Sequence, residues 1–239
     1  MTVIQLQLPT PSSQRIALRI STPGERALKQ GHPWIFDQSI TEQSREGNPG
    51  DLAVIFDDKR RFLAVGLYDP TSTIRVRILQ KIKPATIDAN WFEEKTKTAA
   101  EIRKPLSKKD TDGYRLVHGE NDGLPGLVID RYAETLVLKL YTPAWVPHLN
   151  DVISALEKTQ TFNHLILRLN RSLQKQTEYL HGLTDGMTLT PRTREGLILF
   201  KENGITFECD PIHGQKTGFF LDQRENRERV KSLSKGKSV

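Results

Sequence analysis

A single cysteine, Cys209, occurs in the 239 residues. It excludes an internal disulfide framework and a cysteine-based zinc site. No apolar run approaches the roughly 18 residues of a membrane span. The opening MTVIQLQLPTPSSQR has no basic start followed by an apolar core, so no secretory signal is expected and the cytoplasm is the default compartment. Internal repeats and low-complexity tracts are absent. So is any Ser-His-Asp, paired-carboxylate or metal constellation. No strand runs into a G-x-G turn followed by an acidic ribose ligand, so a self-contained dinucleotide-type fold is not expected within these residues. What is present is an ordinary globular composition, 36% hydrophobic and 27% charged, with a net charge of +6. That balance favours an anionic partner, nucleic acid first. The basic residues are spread along the chain, so folding must assemble any footprint.

The pattern predicts a mixed α+β protein. Residues 1–13, with Pro9, Pro11, Ser12 and Ser13, read as a loose arm. RIALRI (15–20) alternates as a half-buried strand does. PGERALKQG is a short helix opened by Pro23 and closed by Gly31. HPWIF (32–36), LAVIFD (52–57), FLAVGLY (62–68) and IRVRIL (74–79) read as further strands, giving a small barrel-like β domain over 14–83. After a linker centred on Pro84, residues 91–106 form a helix stopped near Pro105. Residues 126–141 are two strands about a turn at Tyr132-Ala133-Glu134, and Trp145–Lys158 is an amphipathic helix. HLILRL (164–169) is a strand. The 196–210 segment is a hairpin, because Asn203-Gly204 suits a type I′ turn. Together they make an α+β subdomain over 90–212.

The densest chemistry lies in HGQKTGFFLDQRENR (213–227). Gly214 and Gly218 allow close backbone approach to a ligand. Lys216 and the free amides of a helix start supply donors for an anion or carboxylate. Asp222 with Glu225 also fits a D-x-x-E capping box. Arg224, Arg227 and Arg229 suit either RNA phosphate or a solvated helix face. In the barrel, His32 and Trp34 suit base stacking, although Ile35 and one of Trp34 and Phe36 are expected to fill the core. Arg19, Lys29, Arg60, Arg61, Arg75 and Arg77 are the candidate phosphate contacts. Glu120 and Asp122, in a Gly/Pro-rich turn, read as structural rather than metal-ligating. Cys209 reads as a small buried residue.

Three segments together resemble one family. They are GHPWIF (31–36), YRLVHGENDGLPGLVIDR (114–131) and the 213–227 stretch, in the order and spacing of bacterial 23S rRNA cytosine-C5 methyltransferases of the RlmI type. The resemblance runs from about residue 15 to the end. It implies a PUA RNA-binding domain at 14–83 and a central α+β subdomain at 90–212. A cofactor-wall motif and helix at 213–239 would then lead into a doubly wound S-adenosylmethionine domain missing from these residues, with Lys235–Val239 at its threshold. By that resemblance Gln215, Lys216, Thr217, Phe220, Asp222 and Gln223 lie nearest the cofactor, S-adenosyl-L-methionine. Arg19, Lys29, His32, Arg60, Arg61, Arg75, Arg77 and Arg224 would face ribosomal RNA. The nucleophilic cysteine is expected in the missing domain, so no catalytic residue and no metal is assigned. The implied function is RNA recognition and part of the cofactor pocket of an rRNA methyltransferase, inactive alone. The alternative is a non-catalytic RNA-binding adaptor derived from such an enzyme. A homodimer, covering exposed Phe219 and Phe220, is the other partner the sequence admits.

Overall fold

The structure is a computed structural model that describes residues 3–191, 196–234 and 236. Six strands form the first sheet: β1 (Ile16–Ile20), β2 (Trp34–Phe36), β3 (Ile40–Gln43), β4 (Leu52–Phe56), β5 (Phe62–Tyr68) and β6 (Ile74–Lys81). Their order is β2-β6-β5-β4-β1-β3. β1 and β4 run parallel and the other pairs antiparallel. The alternation of β1 buries Ile16, Leu18 and Ile20, which meet Ile35, Ile55, Val76 and Leu28 of helix α1 (Thr22–Lys29). β3 escapes pattern reading because ITEQ has no buried residue. The barrel is not a separate globule. Leu52, Val65, Leu67 and Leu79 leave its sheet on the far side and enter the larger core of the molecule. This explains why β5 reads as an almost continuous apolar run.

That larger core lies against a second sheet of β7 (Gly113–His118), β8 (Leu127–Tyr132), β9 (Thr135–Leu140) and β10 (His164–Leu169), in the order β10-β9-β8-β7. β10 pairs parallel with β9, so the chain must cross over between them, and α3 (Leu149–Thr159) lies in that crossing. Helix α2 (Ala89–Arg103) is capped by Asp88, whose carboxylate accepts the Trp91 N–H at 3.0 Å. Leu116, Ile129, Leu138 and Leu167 share one core with Phe92, Trp145, Val152 and Leu156. The helix expected at Trp145–Lys158 starts late: Pro143–His148 is 3-10, with Pro147 inside it, and α3 begins at Leu149. A proline there cannot donate the backbone bond that α-helix requires.

The N-terminal arm is not loose. Val3 and Leu6 are buried in the main core, the Ile4 N–H donates to the Leu189 carbonyl at 2.9 Å, and the Val3 N–H donates to Glu157 at 3.0 Å. On the opposite face of the second sheet, Tyr132, Val137 and Ile166 pack under the hairpin β11 (Ile198–Glu202) and β12 (Ile205–Cys209). Its turn has φ of 50° at Asn203 and 78° at Gly204, the double positive-φ pair of a type I′ turn. Leu221–Gln223 is a 3-10 turn leading into α4 (Arg224–Leu233). Apart from Gly236, the expected threshold of a further strand at 235–239 lies outside the described residues.

Candidate cofactor wall and nucleic-acid interface

The second sheet is apolar where it meets the hairpin and polar beyond it, and the 210–218 loop settles on the polar half. Asp130 of β8 is fully buried and held by Arg115 of β7, whose guanidinium donates at 2.8 and 3.1 Å. Thr217 closes this pair from above. Its hydroxyl donates to Asp130 at 2.5 Å and lies 2.9 Å from the Tyr132 hydroxyl. Burial opposes the Arg115 cation, yet hydrogen bonds and charge contact with Asp130 raise its pKa above the ordinary value. Burial also pushes the Tyr132 phenol far up, with the Asp130 charge adding to it. The loop backbone is fixed at two further points. Arg168 of β10 donates to the Pro211 carbonyl at 2.8 Å, and Lys139 of β9 donates to the Lys216 carbonyl at 3.2 Å.

The two glycines make this fold-back possible. A Cβ on Gly214 would lie 2.3 Å from the Asp210 carbonyl oxygen. One on Gly218, at φ +124°, would lie 2.8 Å from the same atom. Both glycines are required for the close packing of the loop on itself. The Asp210 carboxylate accepts the N–H groups of His213 at 2.8 Å and Ile212 at 2.9 Å, and the His213 N–H is the main cause of its lowered pKa.

Of the six residues expected nearest the cofactor, five point outward. Gln215, Lys216, Phe220, Asp222 and Gln223 are exposed. Lys216 donates to Asp222 at 2.7 Å and lies 4.4 Å from the centre of the Phe220 ring. The hydrogen bond from Lys216 is the leading cause of the lowered Asp222 pKa. Gln223 reaches Asp222 at 3.4 Å. Thr217 is the exception. It is only 1% exposed, and its hydroxyl is spent on Asp130 and Tyr132, so it anchors the loop to the second sheet. The capping box does not form either. Gln223 is the N-cap residue of α4, with no side-chain cap bond, and Asp222 is turned to Lys216. Asp222 and Arg224 border a cleft of about 390 Å³ whose other side carries Arg103, Arg115 and His118.

Phe219 faces inward, 5.0 Å from Phe200 and 5.2 Å from Phe207 by ring centres. Phe220 alone stays open, at 42%. Arg227 lies over Phe219 at 4.6 Å and donates to the buried Glu202 at 2.7 and 2.6 Å. It ties α4 to the hairpin and is not free for RNA. Cys209 is buried in the same cluster.

The barrel's expected phosphate contacts divide. Arg77 is buried, ion-paired with Asp69 at 3.3 Å, and Asp69 also accepts the Thr142 hydroxyl at 2.6 Å. Burial, the leading influence, lowers its pKa. Arg77 therefore clamps the barrel to the second sheet, a correction to its expected role on RNA. Arg19, Arg61 and Arg224 lie at the surface in pairs with Glu42, Asp57 and Glu225 at 2.7, 2.7 and 2.9 Å. Lys29 pairs with Glu25, and Arg75 is 3.9 Å from Asp37. Arg60, exposed at φ 59°, borders the same groove as Arg19.

Ile35 fills the barrel core, whereas neither Trp34 nor Phe36 does. Both rings are half-buried with His32 in an outer cluster, at centre distances of 5.7, 5.8 and 6.3 Å. Residues i and i+2 of a strand share a face, so Trp34 and Phe36 emerge together once Ile35 points in. The Trp34 indole N–H donates to Glu120 at 3.0 Å. Asp122 is gripped by Arg103 at 2.7 Å through both oxygens, and among the described residues no group of side chains could hold a metal ion. No helix among them is long and apolar enough to cross a membrane. Sequence reading gave no individual role to Arg115, Asp130 and Lys139. The signal was there: charged residues at Asp130 and Lys139 interrupt otherwise apolar strands.

A PUA-like domain model matches residues 18–81. A ribosomal RNA large subunit methyltransferase of Deinococcus radiodurans is 44% identical over 98% of this chain, which spans 58% of that protein. Ribosomal RNA large subunit methyltransferase I of Alteromonas mediterranea is 33% identical over 90% of this chain and 53% of its own length. Among solved structures, one described as a candidate SAM-dependent methyltransferase from Streptococcus mutans superposes with a TM-score of 0.74 at 18% identity, over 90% of this chain and 53% of that one. That likeness shows the fold. The chain thus spans a little over half the length of the relatives it matches; along nearly all of its own residues it is similar to proteins described as ribosomal RNA large subunit methyltransferases, and a PUA-like domain model matches its first third.

Proposed function

We propose that these residues supply RNA recognition and one wall of the S-adenosylmethionine site of an rRNA (cytosine-C5) methyltransferase, and that they do not transfer a methyl group by themselves. The observation that carries the reading is the 44% identity to an rRNA methyltransferase over 98% of the chain. The 213–224 loop fits such a wall. It is rigidly docked through Thr217, and it exposes Gln215, Lys216, Phe220, Asp222 and Gln223. An amide, an ammonium, a carboxylate and an aromatic ring together match a zwitterionic amino-acid tail and a nucleoside. A solved relative in fold is described as complexed with SAH, which supports the same ligand class. When bound, the cofactor supplies an electrophilic methyl group. This chain's residues would orient it: Asp222 and Lys216 by charge, Phe220 by ring contact, and Gln215 and Gln223 by hydrogen bonds.

Two features support inactivity alone. Methylation at carbon 5 of cytosine needs a thiolate to add at carbon 6, and Cys209 is buried beneath Phe200 and Tyr132. Among the described residues no open, doubly wound parallel sheet provides a glycine-rich cofactor turn. RNA recognition would fall to the barrel, through Arg19, Lys29, His32, Arg60, Arg61 and Arg75, with Arg224 at the edge of the wall.

The test uses unmethylated 23S rRNA and labelled S-adenosylmethionine. The 239-residue chain is expected to retain the RNA on a filter and to leave it unlabelled. Label recovered as 5-methylcytosine would refute inactivity alone. Failure to retain RNA would refute the recognition role.

A further inference from the structure

Two lysines beside aromatic rings, Lys139 and Lys81, are hydrogen-bonded to backbone carbonyls. The Lys139 ammonium donates to the Lys216 carbonyl at 3.2 Å and lies 5.5 Å from the centre of the Tyr141 ring. The Lys81 ammonium donates to the carbonyls of Gly31 at 2.8 Å and His32 at 3.2 Å, beside the Trp34 cluster. Among the described residues neither forms an ion pair. Burial, the leading influence on both, lowers their pKa values. A partly desolvated ammonium held only by neutral carbonyls is stabilised by an arriving anion.

Tyr141 is 45% exposed although it directly follows β9. Its backbone is fixed on both sides. The N–H donates to the Gly126 carbonyl at 3.0 Å, and its carbonyl accepts from Asn170 at 3.4 Å. The ring is therefore a held, open platform. Gly126, whose carbonyl accepts the Tyr141 N–H, packs against Arg77 of the barrel, whose Nε lies 3.3 Å from where a Cβ on Gly126 would stand. The Tyr141–Lys139 pair thus sits between the barrel cluster and the 213–224 loop, to which Lys139 is bonded.

We propose that Tyr141 and Lys139 form a binding station for an unpaired RNA nucleotide, with the base stacked on the Tyr141 ring and the adjoining phosphate on the Lys139 ammonium. The station continues the track begun by Trp34 and Lys81 and carries single-stranded RNA toward the cofactor wall. A ring face can be covered only by a base released from its helix, so the station selects single strands over duplex. The inference rests on the RNA-recognition reading above and adds a location and a strand state to it.

The experiment measures anisotropy of a labelled single-stranded oligoribonucleotide against the intact chain over a salt series. Tyr141→Ala is expected to weaken binding by roughly 5- to 100-fold, the range of one lost base stack. Tyr141→Phe should restore it. Lys139→Met should lower the magnitude of the log–log salt slope by about 0.7, one single-strand phosphate contact. Trp34 provides an internal signal. The chain has three tryptophans, and Trp91 and Trp145 are only 8% and 0% exposed, so quenching on titration reports Trp34. A thermal melt of each variant separates lost binding from lost fold. If the parent binds and Tyr141→Ala binds equally well, or if a duplex of the same length binds as tightly, the station is wrong while the recognition role stands. If the parent binds no RNA, both fall.

Discussion

Replacing Thr217 by valine keeps the shape of a buried side chain and deletes one hydroxyl. That hydroxyl lies 2.5 Å from the fully buried Asp130 and 2.9 Å from the Tyr132 phenol. A hydrogen bond to a charged group contributes about 1.5–3 kcal/mol and one between neutral groups about 1 kcal/mol. The pair of losses comes to about 2–4 kcal/mol, because Asp130 keeps Arg115 and is not left wholly uncompensated. For a chain of this size the melting temperature should fall by about 4–16 °C. The assay is a denaturant melt of Thr217→Val beside Thr217→Ser, which keeps the hydroxyl and should stay near the parent. Amide exchange should accelerate along 211–218, the segment that Thr217 holds down. In a cycle with Tyr132→Phe the two losses should be strongly non-additive, since they share one contact. A Thr217→Val variant melting within about 1 °C of the parent would refute the anchoring role. It would return Thr217 to the ligand-facing set.

Other expectations follow from the same geometry. Gly218→Ala combines a φ of +124° with a contact 2.8 Å from the Asp210 carbonyl, and should cost about 1–3 kcal/mol in a urea titration. Arg227→Ala strands the buried Glu202 carboxylate. A loss of about 3 kcal/mol is expected, with Glu202→Gln in the same background recovering part of it. Asp222→Asn removes a surface pair with Lys216 and should leave stability within about 1 kcal/mol. The buried His148 has its pKa lowered from 6.5, chiefly by burial, while its Nε2–H donates to the Gly50 carbonyl at 2.8 Å. The unfolded chain binds that proton more readily than the folded one. Stability from this group is therefore complete above pH 6.5 and lost as pH falls from there toward the lowered folded value. His148→Gln should flatten that part of a melting-temperature profile.

The elements that could be read from sequence were those whose signal is local. The Asn203-Gly204 turn and the alternation of Ile16, Leu18 and Ile20 each depend on neighbours within a few residues. The misreadings concern partners far along the chain. Thr217 looks like any small polar residue of a ligand loop, and only folding brings it to Asp130, 87 residues away. Arg77 resembles its surface neighbour Arg75 until Asp69 and Thr142 close over it. The arm of residues 3–13 has loop-like composition, yet Val3 and Leu6 find a core supplied by α3 and β10. The pattern places one of Trp34 and Phe36 in the barrel interior with Ile35, and strand alternation sends both outward instead. Gly214 and Gly218 read as positions of close backbone approach, and the approach the fold shows is to the Asp210 carbonyl.

The measurement that tests the central claim most directly is the affinity of the intact chain for a 23S rRNA fragment as a function of salt. Surface cations on the barrel, with Lys81, Lys139 and Arg224, should give a log–log slope of about −2 to −4, corresponding to three to five single-strand phosphate contacts. Unlabelled single-stranded RNA should compete and duplex of the same length should not. Binding that is absent, or flat with salt, would contradict an RNA-recognition role for these residues.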